Sequence, residues 1–231
     1  MIRPAVWWAC GALGVPLAGS LTFPLRADLA VLVPVADTTL IEEAPINNSG
    51  GVPFVNAGTT QNFTRNRGLF RFDLRSRIPA GASVTSAEAT VYGLEDSPYT
   101  FGPTPALAAD VQTWIDTPDG NFGWALVGQT EPVDFTARRF ASREDASRAA
   151  LLRVAFLPPP RIEHAAVVGS NLVLQFTARA GQVYGVESRE RFAAGTAWFE
   201  LTNVPAPPAL TNVTVVDPLS PGQRFYRLRL P

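Results

Sequence analysis

The sequence predicts an all-β protein made of two β-sandwich modules and one short helix. Apolar and polar residues alternate with a period of two from Val35 onward, which is typical of strands that bury one face. The 18 glycines and 21 prolines are spread along the 231 residues, as turns between many short strands require. Three consecutive prolines at 158–160 favour an extended linker. We therefore expect one module over residues 28–157 and a second over residues 161–231.

The first 27 residues have the three parts of a secretory signal peptide. Arg3 supplies the basic start, residues 5–23 are apolar, and the small residue Ala27 suits a cleavage site. The alternative is an uncleaved membrane anchor, because about 20 apolar residues span a bilayer. Three glycines and a proline interrupt this stretch, however. We expect a secreted or cell-surface protein, extracellular or periplasmic, that contacts a membrane only through an uncleaved signal segment.

Composition excludes several classes of function. Cys10 is the only cysteine, and cleavage of the predicted signal peptide removes it, so the mature chain has no disulfide, thiolate metal site or cysteine nucleophile. The formal net charge of -1 argues against a nucleic-acid partner. All 19 basic residues are arginine, so each cationic side chain is a forked hydrogen-bond donor.

Strands of the first module can be identified from the alternation. Residues 68–74 place Phe70, Phe72 and Leu74 on one face, because successive side chains in a strand point to opposite sides. Residues 79–82 form a predicted turn into a second strand over residues 84–92. Further strands are predicted at the segments 124–127, 135–140 and 151–157.

One amphipathic helix is predicted near residues 106–115. Its apolar residues Leu107, Val111, Trp114 and Ile115 fall on one helical face, which we expect to pack against the sheets. Residues 117–120 end the helix, because they contain a proline and an Asp-Gly turn.

The second module shows five strand patterns. They cover residues 171–177, 182–188, 198–201, 212–216 and 224–230. About 70 residues without disulfides lie near the lower size limit of a domain, so the core must be well filled. The predicted core residues are Leu172, Leu174, Phe176, Tyr184, Val186, Tyr226 and Leu228.

Several ordered blocks of the first module resemble one known family. They are residues 36–41 (ADTTLI), 47–51 (NNSGG), 67–74 (RGLFRFDL), 78–82 (IPAGA), 85–87 (TSA), 109–114 (ADVQTW), 121–124 (NFGW) and 139–144 (RFASRE). In this order they are similar to the disaggregatase-related repeat, or DNRLRE, domains of secreted and cell-surface proteins. Where members of that family carry several tens more residues, this chain has only residues 95–98.

The resemblance implies a jelly-roll-like first module without catalytic residues. Some members of the family bind carbohydrate and are linked to acidic polysaccharide, whereas others are known only as repeats. The second module is similar, through residues 182–188 and 224–228, to the immunoglobulin-like or fibronectin-like sandwiches of large exported bacterial proteins.

Arginines flank two of the predicted strands. Neighbouring strands would bring their guanidinium groups into one row, which suits uronic-acid carboxylates or sulfates. A tyrosine on an outer sheet face would stack on a sugar ring. The candidate ligand-binding residues are Arg65, Arg67, Arg71, Tyr92, Arg138, Arg139 and Arg143. The alternative is that the arginines form cross-strand ion pairs with Asp73, Glu88 and Glu144.

The sequence predicts no catalytic residue, no metal site and no cofactor. His164 is the only histidine, and we expect it in a surface loop rather than in a triad or metal cluster. Asp116, Asp119 and Asn121 are interpreted as turn residues rather than calcium ligands. Acidic residues adjacent in sequence would point to opposite faces of a strand, so they would not converge on one glycosidic bond.

These observations predict a non-catalytic, extracellular carbohydrate-binding or adhesion module, with acidic polysaccharide as its partner. The alternative is a structural spacer or protein-interaction module that contacts other cell-surface proteins. A polysaccharide lyase or hydrolase is the third hypothesis, because carboxylates on separate strands could still lie close enough to act on one glycosidic bond.

Overall fold

The computed structural model describes residues 27–94, 98–191, 193 and 195–230. The predicted signal peptide lies outside the described residues except for Ala27. Strands of the first half are β1 (Asp28–Leu32), β2 (Pro34–Ile41), β3 (Phe54–Thr59), β4 (Arg65–Phe72), β5 (Ser83–Val91), β6 (Tyr99–Phe101), β7 (Trp124–Leu126), β8 (Arg138–Ala141) and β9 (Leu151–Leu157). Those of the second half are β10 (His164–Val168), β11 (Asn171–Ala178), β12 (Tyr184–Arg189), β13 (Phe199–Val204), β14 (Thr211–Pro218) and β15 (Phe225–Arg229). The prediction of an all-β protein is confirmed.

Two antiparallel sheets share one core in the first half. One has the strand order β1-β9-β5-β6. The other has the order β2-β4-β3-β8, with β7 beside β4. As predicted, Phe70, Phe72 and Leu74 are buried, and they pack in the same cluster as Leu152 and Val154 of the first sheet. The apolar faces of both sheets therefore close on one another, as in a sandwich.

The short strand β3 is shared between two neighbours. Its first four residues pair with β8, and only Gly58 and Thr59 pair with β4. Val55 occupies the space beside Gly68, where an added Cβ would lie 2.6 Å from the Val55 side chain. A larger residue at Gly68 would therefore displace β3, so this glycine permits the close approach of the two strands.

The predicted helix is present as α1, which spans Pro105–Asp116. The Thr104 hydroxyl accepts the Leu107 N–H at 3.2 Å, and Pro105 fits the first turn, where its missing N–H costs nothing. Val111, Trp114 and Ile115 are buried, as the spacing predicts. A short 3-10 turn at Pro118–Gly120 follows the helix. No helical segment that could span a bilayer occurs among the described residues.

The second half forms two three-stranded antiparallel sheets around its own core. Their strand orders are β10-β11-β14 and β13-β12-β15. All seven predicted core residues lie in this apolar cluster. The three prolines at 158–160 lie between β9 and β10, outside any strand.

Two local predictions were wrong. His164 begins strand β10 rather than lying in a loop; every residue of that strand is exposed, so its sequence carries no alternation to reveal it. The strand predicted from Phe135 begins at Arg138. Phe135 has a positive φ of 58°, which breaks the extended conformation.

Candidate functional site

The structure separates the two groups of predicted arginines. β4 carries Arg65, Arg67 and Arg71, and β8 carries Arg138 and Arg139. β3 lies between these strands in the sheet. The predicted single row of guanidinium groups is therefore wrong, because the two strands that were to form it are not neighbours.

Ion pairs occupy two of the arginines on β4. Arg67 donates two hydrogen bonds to Glu131, at 2.7 and 2.8 Å, and these bonds lower the pKa of Glu131. The Arg65 guanidinium lies 3.8 Å from Glu42. Neither partner is among the acidic residues predicted from the sequence. Both arginines are thus engaged within the protein.

Arg71 lines a polar groove of about 570 Å³, and its guanidinium has no ion-pair or hydrogen-bond partner among the described residues. The groove also contains Asp73, Arg75 and Asp119, so its charges balance. Arg75 pairs with Asp119 at 3.0 Å. The exposed ring of Phe122 lies at its edge.

The turn beside this groove uses its polar groups internally. Asn121 donates its amide to the Phe72 carbonyl at 2.8 Å, and Asp116 accepts from Gln112 at 3.0 Å. In the part of the chain that the structure describes, no group of three or more acidic, histidine or cysteine residues could hold a metal ion. These contacts favour the interpretation of the segment as a turn.

The predicted site residues Arg143 and Tyr92 lie outside the lining of the polar groove that contains Arg71. The Arg143 guanidinium lies 3.0 Å from Glu144, its neighbour in sequence rather than a cross-strand partner, and it also donates to the Val35 carbonyl at 2.8 Å. Tyr92 is half-buried, and its carbonyl accepts the Ala141 N–H. Of the other predicted acidic partners, Glu88 lies 3.8 Å from Arg153, and Asp73 accepts a backbone N–H of Arg75.

Arg138 and Arg139 line a polar cleft of about 470 Å³ beside β3, named here the β3–β8 cleft. Amide, hydroxyl and guanidinium groups dominate its walls. The lining residues are Asn56, Thr59, Thr60, Gln61, Asn66, Phe135, Ala137, Arg138 and Arg139. None of these described lining residues is acidic, and the two arginines add guanidinium hydrogen-bond donors to the amides and hydroxyls.

Cross-strand pairing positions the cleft arginines. Asn56 lies opposite Arg139, and Ala57 lies opposite Arg138. The Arg139 guanidinium also lies 4.7 Å from the centre of the Phe54 ring, a cation–π contact that restricts the side chain. Both residues are exposed.

The loop that carries Phe135 is fixed to the end of β3. The Thr59 carbonyl accepts both the Thr136 and the Ala137 N–H groups, at 2.9 and 3.0 Å. Gly58 has a φ of 106°, and a Cβ there would lie 2.5 Å from the Thr136 carbonyl oxygen. Only glycine allows this close approach. The exposed Phe135 ring is therefore presented at the cleft by a well-anchored backbone.

Known proteins provide no further assignment of the site. Comparison with family models, with curated proteins and with solved structures finds no match to this chain. The resemblance to DNRLRE domains stays a prediction, and the chemistry of the site is argued from its own geometry.

A cluster on the second half was not foreseen from the sequence. The guanidinium carbons of Arg189 and Arg227 lie 4.4 and 4.3 Å from the centre of the Trp198 ring. Glu187 is buried between strands and binds Arg227 at 2.6 Å and Arg229 at 2.9 Å. The alternation of Arg227 and Arg229 on β15 is the signal that could have revealed it. The ion pairs of Glu187 with Arg227 and Arg229 tie β12 to β15.

Proposed function

We propose that this chain is a non-catalytic carbohydrate-binding or adhesion protein whose β3–β8 cleft binds acidic polysaccharide. The observation that supports the proposal is that Arg138 and Arg139 both line a cleft whose described lining has no acidic group. They are successive residues of β8, so their side chains leave the strand on opposite faces and meet a ligand from two sides. Guanidinium groups bind carboxylates and sulfates through two parallel hydrogen bonds. Uronic-acid or sulfated sugars offer those anions.

The remaining lining groups suit the neutral parts of a sugar. Asn56, Gln61 and the threonine hydroxyls both donate and accept hydrogen bonds, as sugar hydroxyls require. The exposed ring of Phe135 offers an apolar surface to the C–H face of a pyranose. A volume of about 470 Å³ falls within the range of small-ligand sites, roughly 300–1,000 Å³.

The signal-peptide pattern of residues 1–27 supports a location outside the cytoplasm. A secreted or cell-surface protein meets polysaccharide and other cell-surface proteins, which are the partners we propose. Catalysis is less well supported. The described lining of the cleft offers no carboxylate or histidine to act as a general acid or base.

A protein-interaction role is the second candidate, and a specific surface favours it. Leu29 and Val31 on β1, together with Val33 and Val35, are exposed. β1 is the edge strand of its sheet. An exposed apolar edge of this kind is typical of surfaces that contact other proteins.

The test is retention of the full chain on immobilised polygalacturonate and on a neutral glucan. We expect retention on the acidic gel, weakening as salt is added. Arg138→Ala and Arg139→Ala should each lower the affinity about tenfold, because each removes hydrogen bonds to a charged group. Arg77→Ala is the matched control, since it removes an exposed arginine outside the cleft.

Other outcomes contradict the proposal in different ways. If the Arg138→Ala and Arg139→Ala variants bind the acidic gel as strongly as the wild-type chain, the β3–β8 cleft is not the site. If Arg71→Ala instead loses binding, the site is the polar groove that contains Arg71. Absence of retention on any glycan would favour the protein-interaction role. Release of soluble sugar from the gel would indicate an enzyme.

A further inference from the structure

A second cleft opens at the edge of the first half, between β6 and β7. We name it the β6–β7 cleft, and its volume is about 310 Å³. Its walls are almost entirely apolar. They consist of Phe70, Phe72, Ala89, Thr90, Val91, Phe101, Thr104, Ala106, Leu107, Asp110, Trp124, Ala125 and Leu126.

Two very short edge strands leave this cleft open. β6 has three residues and covers only Ala89–Val91 of the nine-residue strand β5. β7 also has three residues and pairs with only three residues of β4. The apolar space between the sheets is therefore not closed at this edge, and the Phe101 side chain is 41% exposed there.

The cleft combines aromatic rings with one carboxylate. Phe70, Phe72, Phe101 and Trp124 contribute rings, and Asp110 is the charged residue among the described lining. The Trp124 indole N–H donates to Oδ2 of Asp110 at 2.8 Å. The other oxygen, Oδ1, accepts no hydrogen bond from the residues that the structure describes. Negative charge at the mouth of an aromatic cleft attracts a cation with an apolar body.

We propose that the β6–β7 cleft binds a small organic ammonium ion. Its apolar body inserts between the sheets among the aromatic rings, and its nitrogen lies beside Asp110. An anion is disfavoured here by the same carboxylate. The site is independent of the proposed glycan site, which has the opposite charge preference.

The test follows the Trp124 indole N–H resonance of the full chain by NMR during titration with benzyltrimethylammonium. Neopentylbenzene has the same shape without the charge and is the matched ligand. We expect a saturable shift with the cation and binding about tenfold weaker for the neutral molecule, because the charge contributes the cation–π and carboxylate attraction.

Two pairs of variants locate the site. Asp110→Asn keeps an acceptor for the indole N–H but removes the charge, so it should weaken binding of the cation about tenfold and leave the neutral ligand unchanged. Ala106→Trp should fill the cleft and abolish binding of both ligands. Ala109→Trp, at an exposed helix position outside the lining, should have no effect.

Three results would overturn the proposal. One is the absence of any shift at millimolar cation. Another is equal affinity for the charged and the neutral ligand. The third is unchanged cation affinity in Asp110→Asn. Each of these readouts is independent of polysaccharide binding, so failure here would leave the glycan proposal standing.

Discussion

Each half of the molecule buries an aspartate, and the two carboxylates differ in the hydrogen-bond donors that surround them. Asp37 on β2 is 6% exposed, and Asp217 on β14 is 4% exposed. Oδ2 of Asp37 accepts the Arg143 backbone N–H at 2.7 Å, whereas its Oδ1 has no partner among the described residues. Burial therefore raises the pKa of Asp37, and the charge of Glu144 adds to the effect.

Asp217 is held by two side-chain donors. Arg224 donates to it at 2.6 Å and the Tyr226 hydroxyl at 2.7 Å. Burial by itself would raise the pKa of Asp217, but the two hydrogen bonds and the charge of Arg224 outweigh it, and the pKa is lowered. The comparison teaches that side-chain donors, rather than depth of burial, decide whether a buried carboxylate stabilises the fold.

The largest effect is expected from Asp217→Asn. The variant loses the negative charge that binds Arg224, and its amide N–H group would face the donors of Arg224 and Tyr226. The free energy of unfolding should therefore fall by about 2 kcal/mol at neutral pH. Urea unfolding, with hydrogen exchange of peptides covering β14, measures the loss. Tyr226→Phe removes only one donor and should cost about 1 kcal/mol.

The pH dependence of this loss has a defined sign. Because the folded pKa of Asp217 is lowered, its stabilisation is complete above the unfolded value of about 4 and is lost as pH falls through the folded pKa. The difference in the free energy of unfolding between the wild-type chain and Asp217→Asn should therefore shrink in acid. A difference that grows in acid would show that the pairing with Arg224 is not what stabilises this strand.

A smaller effect of opposite sign is expected from Asp37→Asn. The amide oxygen still accepts the Arg143 N–H, and the cost of a buried, half-solvated charge disappears, so stability at neutral pH should rise by up to about 1 kcal/mol. Because the folded pKa of Asp37 is raised, this gain should vanish as pH falls below about 4. Glu43→Gln, at an exposed carboxylate, is the control. Destabilisation by Asp37→Asn at neutral pH would mean that Oδ1 has a partner.

Local patterns were sufficient to predict much of the fold. Strand β9 was predicted with its bounds, α1 within one residue at each end, and the seven core residues of the second half were all found. Periodicity reports burial one element at a time. β10 was missed because both of its faces are exposed, so its sequence has no alternation between apolar and polar residues.

Long-range pairing could not be predicted in the same way. Glu131 binds Arg67 from 64 residues further along the chain, and β3 inserts between β4 and β8 because Gly68 leaves room for Val55. Arg138 and Arg139 were predicted as site residues, whereas their cleft partners Asn56 and Asn66 were not. These amides are positioned by strand register, which a single sequence does not reveal.

The most direct test of the central claim follows the arginine Nε–H resonances of the full chain by NMR during titration with a short oligogalacturonate. Binding in the β3–β8 cleft predicts saturable shifts of Arg138 and Arg139, while Arg71 and Arg77 stay unchanged. Saturable shifts confined to Arg71, or to Arg227 and Arg229 on the second half, would contradict the account.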